Sequence, residues 1–124
     1  GFPTFEVPGF KFGKHHHRGE TGRPEELDRE PTREDEAILR SFADRYAPAG
    51  AGPTMRLSAC LYTNTPDRDF IIDVHPDHPN VVLGAGFSGH GFKFASVVGE
   101  VLADLATDGR TDHPTGMFEL SRFA

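Results

Sequence analysis

One stretch gathers several residues able to hold a charged, flat ligand: Gly84, Gly86, Phe87, Ser88, Gly89, His90, Gly91 and Lys93, between residues 84 and 94. Its first six residues fit G-x-G-x-x-G, with strand composition before them and helical periodicity after, the context in which a helix N-terminus receives a dinucleotide pyrophosphate. Asp104 lies about 20 residues on, where a ribose-binding acid is expected. That acid falls inside the following helix, however, and too little chain remains for the rest of a Rossmann sheet. Two readings survive. The glycines tighten a strand-to-helix connection, or the free amides and dipole of the helix start form a site for negative charge whose missing side chains admit a flat ligand.

Other residues carry chemistry singly. Cys60 is the one cysteine, so no intramolecular disulfide can form; by itself it reads as a buried, inert thiol. Lys93 and Lys11 read as solvated surface lysines, although Lys11 stands between Phe10 and Phe12 and should face away from both. His15, His16 and His17 suggest a tag remnant or, with His75 and His78, a metal site. Neighbours on a strand point to opposite sides, so three adjacent histidines cannot converge on one ion, and no metal is assigned. His90 and Tyr62 fit a helix-capping histidine and a half-buried strand tyrosine as readily as a ligand pocket.

The elements that must position these residues follow from periodicity. Residues 2–5 and 9–15 alternate around a Pro8-Gly9 turn and predict a hairpin, and residues 16–31 are polar and loop-like. Thr32 caps a helix opening with Arg33, Glu34, Asp35 and Glu36, its face Ile38, Leu39, Phe42 and Tyr46, its end near Pro48. Residues 56–63 and 69–75 predict a second hairpin around Thr65-Pro66-Asp67. A strand over 80–87 leads into the glycine turn, and a helix follows on Phe94, Val97, Val98, Val101, Leu102 and Leu105 until Gly109 stops it. Residues 110–124 read as a tail with a short strand near 117–120. The expected class is α+β, a mostly antiparallel sheet with two helices.

Composition excludes other functions. The 124 residues suit one ordinary domain, and a net charge of -6 with thirteen scattered basic residues argues against nucleic acid or an anionic membrane surface as partner. No apolar run approaches the roughly 20 residues of a membrane-spanning helix. A single cysteine suits a reducing compartment, and the expected location is cytoplasmic. The opening GFPTF is strand material rather than a frayed terminus, so the expectation is that the chain is a piece of a longer protein.

The segments CLYTNTPDRDFIIDVHP and NVVLGAGFSGHGFKFASVVGEVLADL closely resemble the C-terminal part of the monomeric sarcosine oxidase / N-methyltryptophan oxidase family, and GFPTF and FKFGKHH resemble the strands that precede them there. The resemblance implies the C-terminal part of a D-amino acid oxidase-like FAD oxidoreductase fold, lacking the N-terminal Rossmann FAD domain. Its expected divisions are 1–55 (substrate-domain strands and helix), 56–109 (flavin-contacting strands, glycine turn and helix) and a 110–124 tail. It implies FAD held covalently by Cys60 through a thioether to the 8α carbon, which needs a thiolate with access to the ring. It implies flavin contacts at Gly86, Phe87, Ser88, Gly89, His90, Gly91 and Lys93; a reduced flavin, anionic around its pyrimidine ring, is the kind of ligand the helix start favours. Lys93 is implied as the cation for a substrate carboxylate, Lys11 as the cation over the flavin that assists O2, and His15, Tyr62 and His90 as active-site groups, with Tyr62 also in the substrate pocket. His16 and His17 match no role.

The implied activity is oxidation of a secondary amine of an N-methyl or cyclic amino acid, with O2 as oxidant and imine, aldehyde and hydrogen peroxide as products. The 124 residues alone are expected to be inactive and free of flavin, to need an FAD-binding half as partner, and to self-associate through exposed core. A stand-alone interaction or metal-binding module is the alternative.

Overall fold

The structure is a computed structural model that describes residues 1–6 and 8–124. The chain folds as two compact units, Gly1–Leu61 and Tyr62–Ala124.

The first unit is built around helix α1, Arg33–Tyr46. Thr32 starts it with a reciprocal capping box: the Asp35 amide donates to Thr32 Oγ1 at 3.3 Å, and the Thr32 amide donates to Asp35 Oδ2 at 2.8 Å. Glu34, Asp35 and Glu36 occupy the first turn, where the dipole favours acids. The helix ends before Pro48, whose ring cannot continue it. Ala43 is buried on the inner face. Aromatic rings extend that face, with centroids 5.1 Å apart for Phe10 and Phe12, 5.9 Å for Phe12 and Phe42, and 4.9 Å for Phe42 and Tyr46. Arg40 ties down the chain beyond the helix, donating to the carbonyls of Ala51 at 3.1 Å and Gly52 at 2.7 Å.

In place of the hairpin strands expected at the start, the described residues carry isolated bridge pairing, including an antiparallel bridge between Phe2 and Lys11. A two-stranded ribbon alone is marginal, and here Phe10 stacks on Phe12, which in turn packs on Phe42 of α1.

In the second unit, strand β1 (Ile71–His75) pairs antiparallel with β2 (His78–Ala85), Ile72 opposite Gly84 and Val74 opposite Val82. This corrects the expected hairpin of 56–63 with 69–75. Residues 51–65 carry no helix or strand. The 65–68 segment does turn, its Arg68 amide donating to the Thr65 carbonyl at 3.1 Å. A second turn at Pro76-Asp77 follows β1 immediately, however, and the apolar run Val81-Val82-Leu83 after it is the strand that pairs with β1. β2 stops at Ala85 rather than Phe87 because Gly86 takes φ +61, outside the strand region.

Helix α2, Ala95–Asp108, packs across this hairpin after a 3-10 turn at Phe92–Phe94 and ends at Gly109 with φ +68, as the glycine stop predicts. Phe70, Ile72, Val98 and Val101 are buried, with Phe87, Leu102, Leu105 and Phe118 packed against them. The tail strand expected at 117–120 is replaced by 3-10 turns at Gly116–Phe118 and Leu120–Phe123. There the Leu120 amide donates to the Asp73 carboxylate at 2.8 Å, and Phe118 stacks on Phe70 with centroids 5.6 Å apart. No helix among the described residues is long and apolar enough to cross a membrane.

Candidate functional site

The glycine stretch lines a cleft of about 480 Å³ in the second unit, together with Tyr62 and Thr63; its walls are Ala85, Gly86, Phe87, Ser88, Gly89, Gly91 and Phe92. The loop is wound through left-handed backbone at Gly86 (φ +61), Ser88 (φ +47) and Gly89 (φ +75). Ser88, strained as a non-glycine there, is buried at 1 % exposure and doubly held. Its hydroxyl donates to the Gly86 carbonyl at 3.0 Å and its amide to the Thr63 carbonyl at 3.0 Å. A Cβ at Gly86 would lie 2.4 Å from the Thr65 methyl, and one at Gly91 would lie 2.6 Å from Phe87. These glycines therefore do more than shorten a connection. They let the loop close on Thr65 and Phe87, and no side chain stands at Gly86, Gly89 or Gly91 where the loop lines the cleft.

The cleft leads into the start of the helical stretch at Gly91 and Phe92, the positive end of the helix dipole, where no side chain caps the amides, although the Phe94 amide donates to the Gly91 carbonyl at 2.9 Å. Bare backbone, a tyrosine, and a polar helix start form a cradle suited to a flat, electron-rich ring with hydrogen-bond acceptors on its edge.

The expected site residues divide between the units. Tyr62, half-buried, and Gly86, Phe87, Ser88, Gly89 and Gly91 come together in the cleft. His90 and Lys93 follow on the same segment but are not among its lining residues. His90 packs its ring on Phe70, centroids 5.0 Å apart, and its Nε2 lies 3.3 Å from the Arg68 carbonyl. A carbonyl only accepts, so Nε2 carries the proton. This corrects the helix-capping reading, since no side chain caps the helix start here. Lys93 is exposed with Nζ 5.2 Å from the Phe94 ring centre.

Lys11, His15 and Cys60 belong to the first unit. Lys11 is exposed and sets its ammonium 5.8 Å from the Phe2 ring, apart from the stacked Phe10 and Phe12, as strand alternation predicts. His15 is exposed, its ring edge-on to His16 at 4.4 Å. Cys60 is a free, exposed thiol, which corrects the buried reading.

Three residues make contacts that the sequence analysis did not assign to them. His17 bonds Asp35 Oδ1 through Nε2 at 2.7 Å and Arg18 reaches the same oxygen at 3.4 Å, so the histidine run is anchored to the start of α1. The Thr32 amide first, then His17, hold the Asp35 carboxyl well below the usual carboxylate range. Phe92, 95 % exposed, lines the cleft; its place out of phase with the Phe94, Val98 and Val101 face was the available signal. Among the described residues no group of three or more His, Cys, Asp or Glu is arranged to hold a metal.

The family described as FAD dependent oxidoreductase matches residues 6–105. Monomeric sarcosine oxidase from Bacillus sp. (strain NS-129) is 49 % identical over 126 residues, covering 100 % of this chain and 32 % of that protein. Peroxisomal sarcosine oxidase from Homo sapiens is 43 % identical over 126 residues, covering 99 % of the chain and 32 % of the relative. N-methyl-L-tryptophan oxidase from Escherichia coli O139:H28 is 54 % identical over 74 residues, covering 60 % and 20 %. Among solved structures, L-proline dehydrogenase from P. horikoshii superposes with a TM-score of 0.69 at 33 % identity, over 77 % of this chain and 26 % of that one. The chain spans about a third of the length of the sarcosine oxidases it matches.

Proposed function

The chain belongs to the FAD dependent oxidoreductase family, and from that premise we propose that it is the flavin- and substrate-contacting part of an oxidase acting on a secondary amine of an N-methyl or cyclic amino acid. O2 is the final acceptor; imine, its hydrolysis products and hydrogen peroxide are the products. The carrying observation is the cleft: a loop with no side chain at Gly86, Gly89 and Gly91, beside Tyr62 and at the start of a helix. These residues fit a flavin, because a planar ring can lie against bare backbone while helix-start amides meet its acceptor edge.

FAD, when bound, supplies a two-electron acceptor. The chain's residues do the rest. Phe87, Ser88, Gly89, His90 and Gly91 offer backbone to the ring, and the exposed Cys60 thiol supports attachment to the ring's 8α carbon through Sγ. Lys93 binds the substrate carboxylate, a charge-assisted pairing that fixes the amine's orientation and is reinforced by the helix dipole. Tyr62 and His90 contact the amine end of the substrate. Lys11 supplies positive charge for dioxygen reduction and His15 stands on the same segment. The FAD-binding half and the remaining pocket wall lie in chain outside these 124 residues, and the isolated 124 residues are inactive.

The sarcosine, N-methyltryptophan and proline named for the relatives and the superposed enzyme define the assay. Full-length protein is expected to release hydrogen peroxide with at least one of these amines and to consume O2 in step with it. Absence of peroxide with all three and with other N-alkyl or cyclic amino acids would contradict the reading.

A further inference from the structure

Arg68 is held at φ +67, a conformation that side chains other than glycine rarely adopt, in the turn that precedes β1. Several bonds maintain it. The Arg68 amide donates to the Thr65 carbonyl at 3.1 Å, the Asp69 amide to Asp67 Oδ1 at 3.0 Å, and Thr65 Oγ1 to the Asp69 carbonyl at 2.7 Å. From the far end of the chain Arg122 closes a fork on the same turn. Its Nε donates to Asp67 Oδ2 at 2.7 Å, and its Nη2 to Asp67 Oδ1 at 3.3 Å and to the Asp69 carbonyl at 3.1 Å.

One side of this turn packs against the cleft-lining loop at Gly86, and the other bonds the neighbouring His90. The Arg68 carbonyl accepts from His90 Nε2 at 3.3 Å, and the Thr65 methyl occupies the space a Cβ at Gly86 would need. A planar bidentate pair is a rigid connector, and strain that surrounding bonds over-determine is characteristic of a site needing a fixed geometry.

We propose that Arg122 and Asp67 are positioning residues: their ion pair holds the 65–68 turn so that the Arg68 carbonyl fixes His90 as the Nε2-protonated tautomer, leaving Nδ1 as acceptor for the N–H of an amine substrate. The use made of Nδ1 rests on the proposed function; the control of the tautomer does not. Arg122 holds the Asp67 carboxyl well below its usual range, and Asp67 raises the Arg122 guanidinium in return, as a tight pair requires.

The test is long-range proton–nitrogen NMR on full-length protein labelled with nitrogen-15 at histidine, His90 being assigned from a His90→Gln variant. Wild type is expected to show His90 as a single neutral tautomer protonated at Nε2. Arg122→Met and Asp67→Asn should each convert it to an averaged mixture and lower amine turnover roughly tenfold, within the range of coupling between directly contacting groups. The double variant should do no more than either single one. Arg122→Lys, which keeps the charge and loses the fork, should fall between. Unchanged His90 nitrogen shifts in both single variants, or a wild-type His90 protonated at Nδ1, would overturn the proposal. If Arg122→Met does not fold, the isosteric Asp67→Asn gives the same answer. A protein that oxidises no amine while its His90 tautomer follows Arg122 would refute the oxidase reading and support the clamp.

Discussion

Cys60 is the one cysteine of the chain, and its thiol is free and exposed in a segment without helix or strand. Exposure is what attachment to a ring carbon requires and what an inert core thiol lacks. Full-length protein is therefore expected to keep its yellow colour in an acid precipitate, and a Cys60→Ala variant to release it to the supernatant; colour washed from the wild type would rule out the thioether. Asp35 gives a prediction of another kind. Its carboxyl is depressed in the fold, first by the Thr32 amide and then by His17, relative to an unfolded value of about 3.9. A depressed acid contributes stability that is fully present above the unfolded value and drains away as pH falls towards the folded one. Denaturation midpoints of the wild type should thus decline below about pH 4 more steeply than those of Asp35→Asn. Parallel slopes would show that the capping box and the His17 contact are not formed in solution. The sequence disclosed the cap, because Thr32 precedes a run of first-turn acids; the reciprocal bond with Asp35 is seen only in the structure. It was silent on His17, since a contact 18 residues away in sequence depends on how the loop folds back.

At the scale of elements, legibility followed how local the determinants were. Both helices could be read, α1 from Thr32 and its apolar stripe, α2 from Val98, Val101 and the stop at Gly109. The sheet was misread because β1 is flanked by two turn signals, Thr65-Pro66-Asp67 and Pro76-Asp77, and local composition does not rank them. The tail was misread because its backbone is satisfied by Asp73 and its side chains by Asp67 and Phe70, all distant in sequence. The glycine loop was read correctly as a break between strand and helix, but its need for glycine at particular positions is a tertiary matter. Gly86→Ala adds a Cβ 2.4 Å from the Thr65 methyl at φ +61, so it should destabilise the second unit by about 1–3 kcal/mol and weaken flavin retention. Gly99, inside α2 with nothing within 4 Å of an added Cβ, is the matched control. Gly99→Ala should stabilise by up to about 1 kcal/mol on helix propensity. Thermal or denaturant unfolding of the two variants distinguishes a loop that must be glycine from a glycine that is merely tolerated.

For the whole molecule, the chain supplies a cleft wall rather than a closed chamber. Phe92, 95 % exposed, lines that cleft, a large apolar side chain left open to water. The chain spans about a third of the length of the sarcosine oxidases it matches, so the proposed activity is to be measured on the full-length protein. The central claim is that electrons pass from an amino-acid amine to a flavin lying against the 86–91 loop. The direct measurement is the visible spectrum of the full-length protein mixed, without oxygen, with sarcosine, N-methyltryptophan or proline. The account predicts that one of these amines bleaches the flavin's blue-light absorption and that admitting air restores it with release of hydrogen peroxide. A flavin spectrum that stays unchanged with every amine, in protein shown to be folded and flavin-loaded, would contradict it.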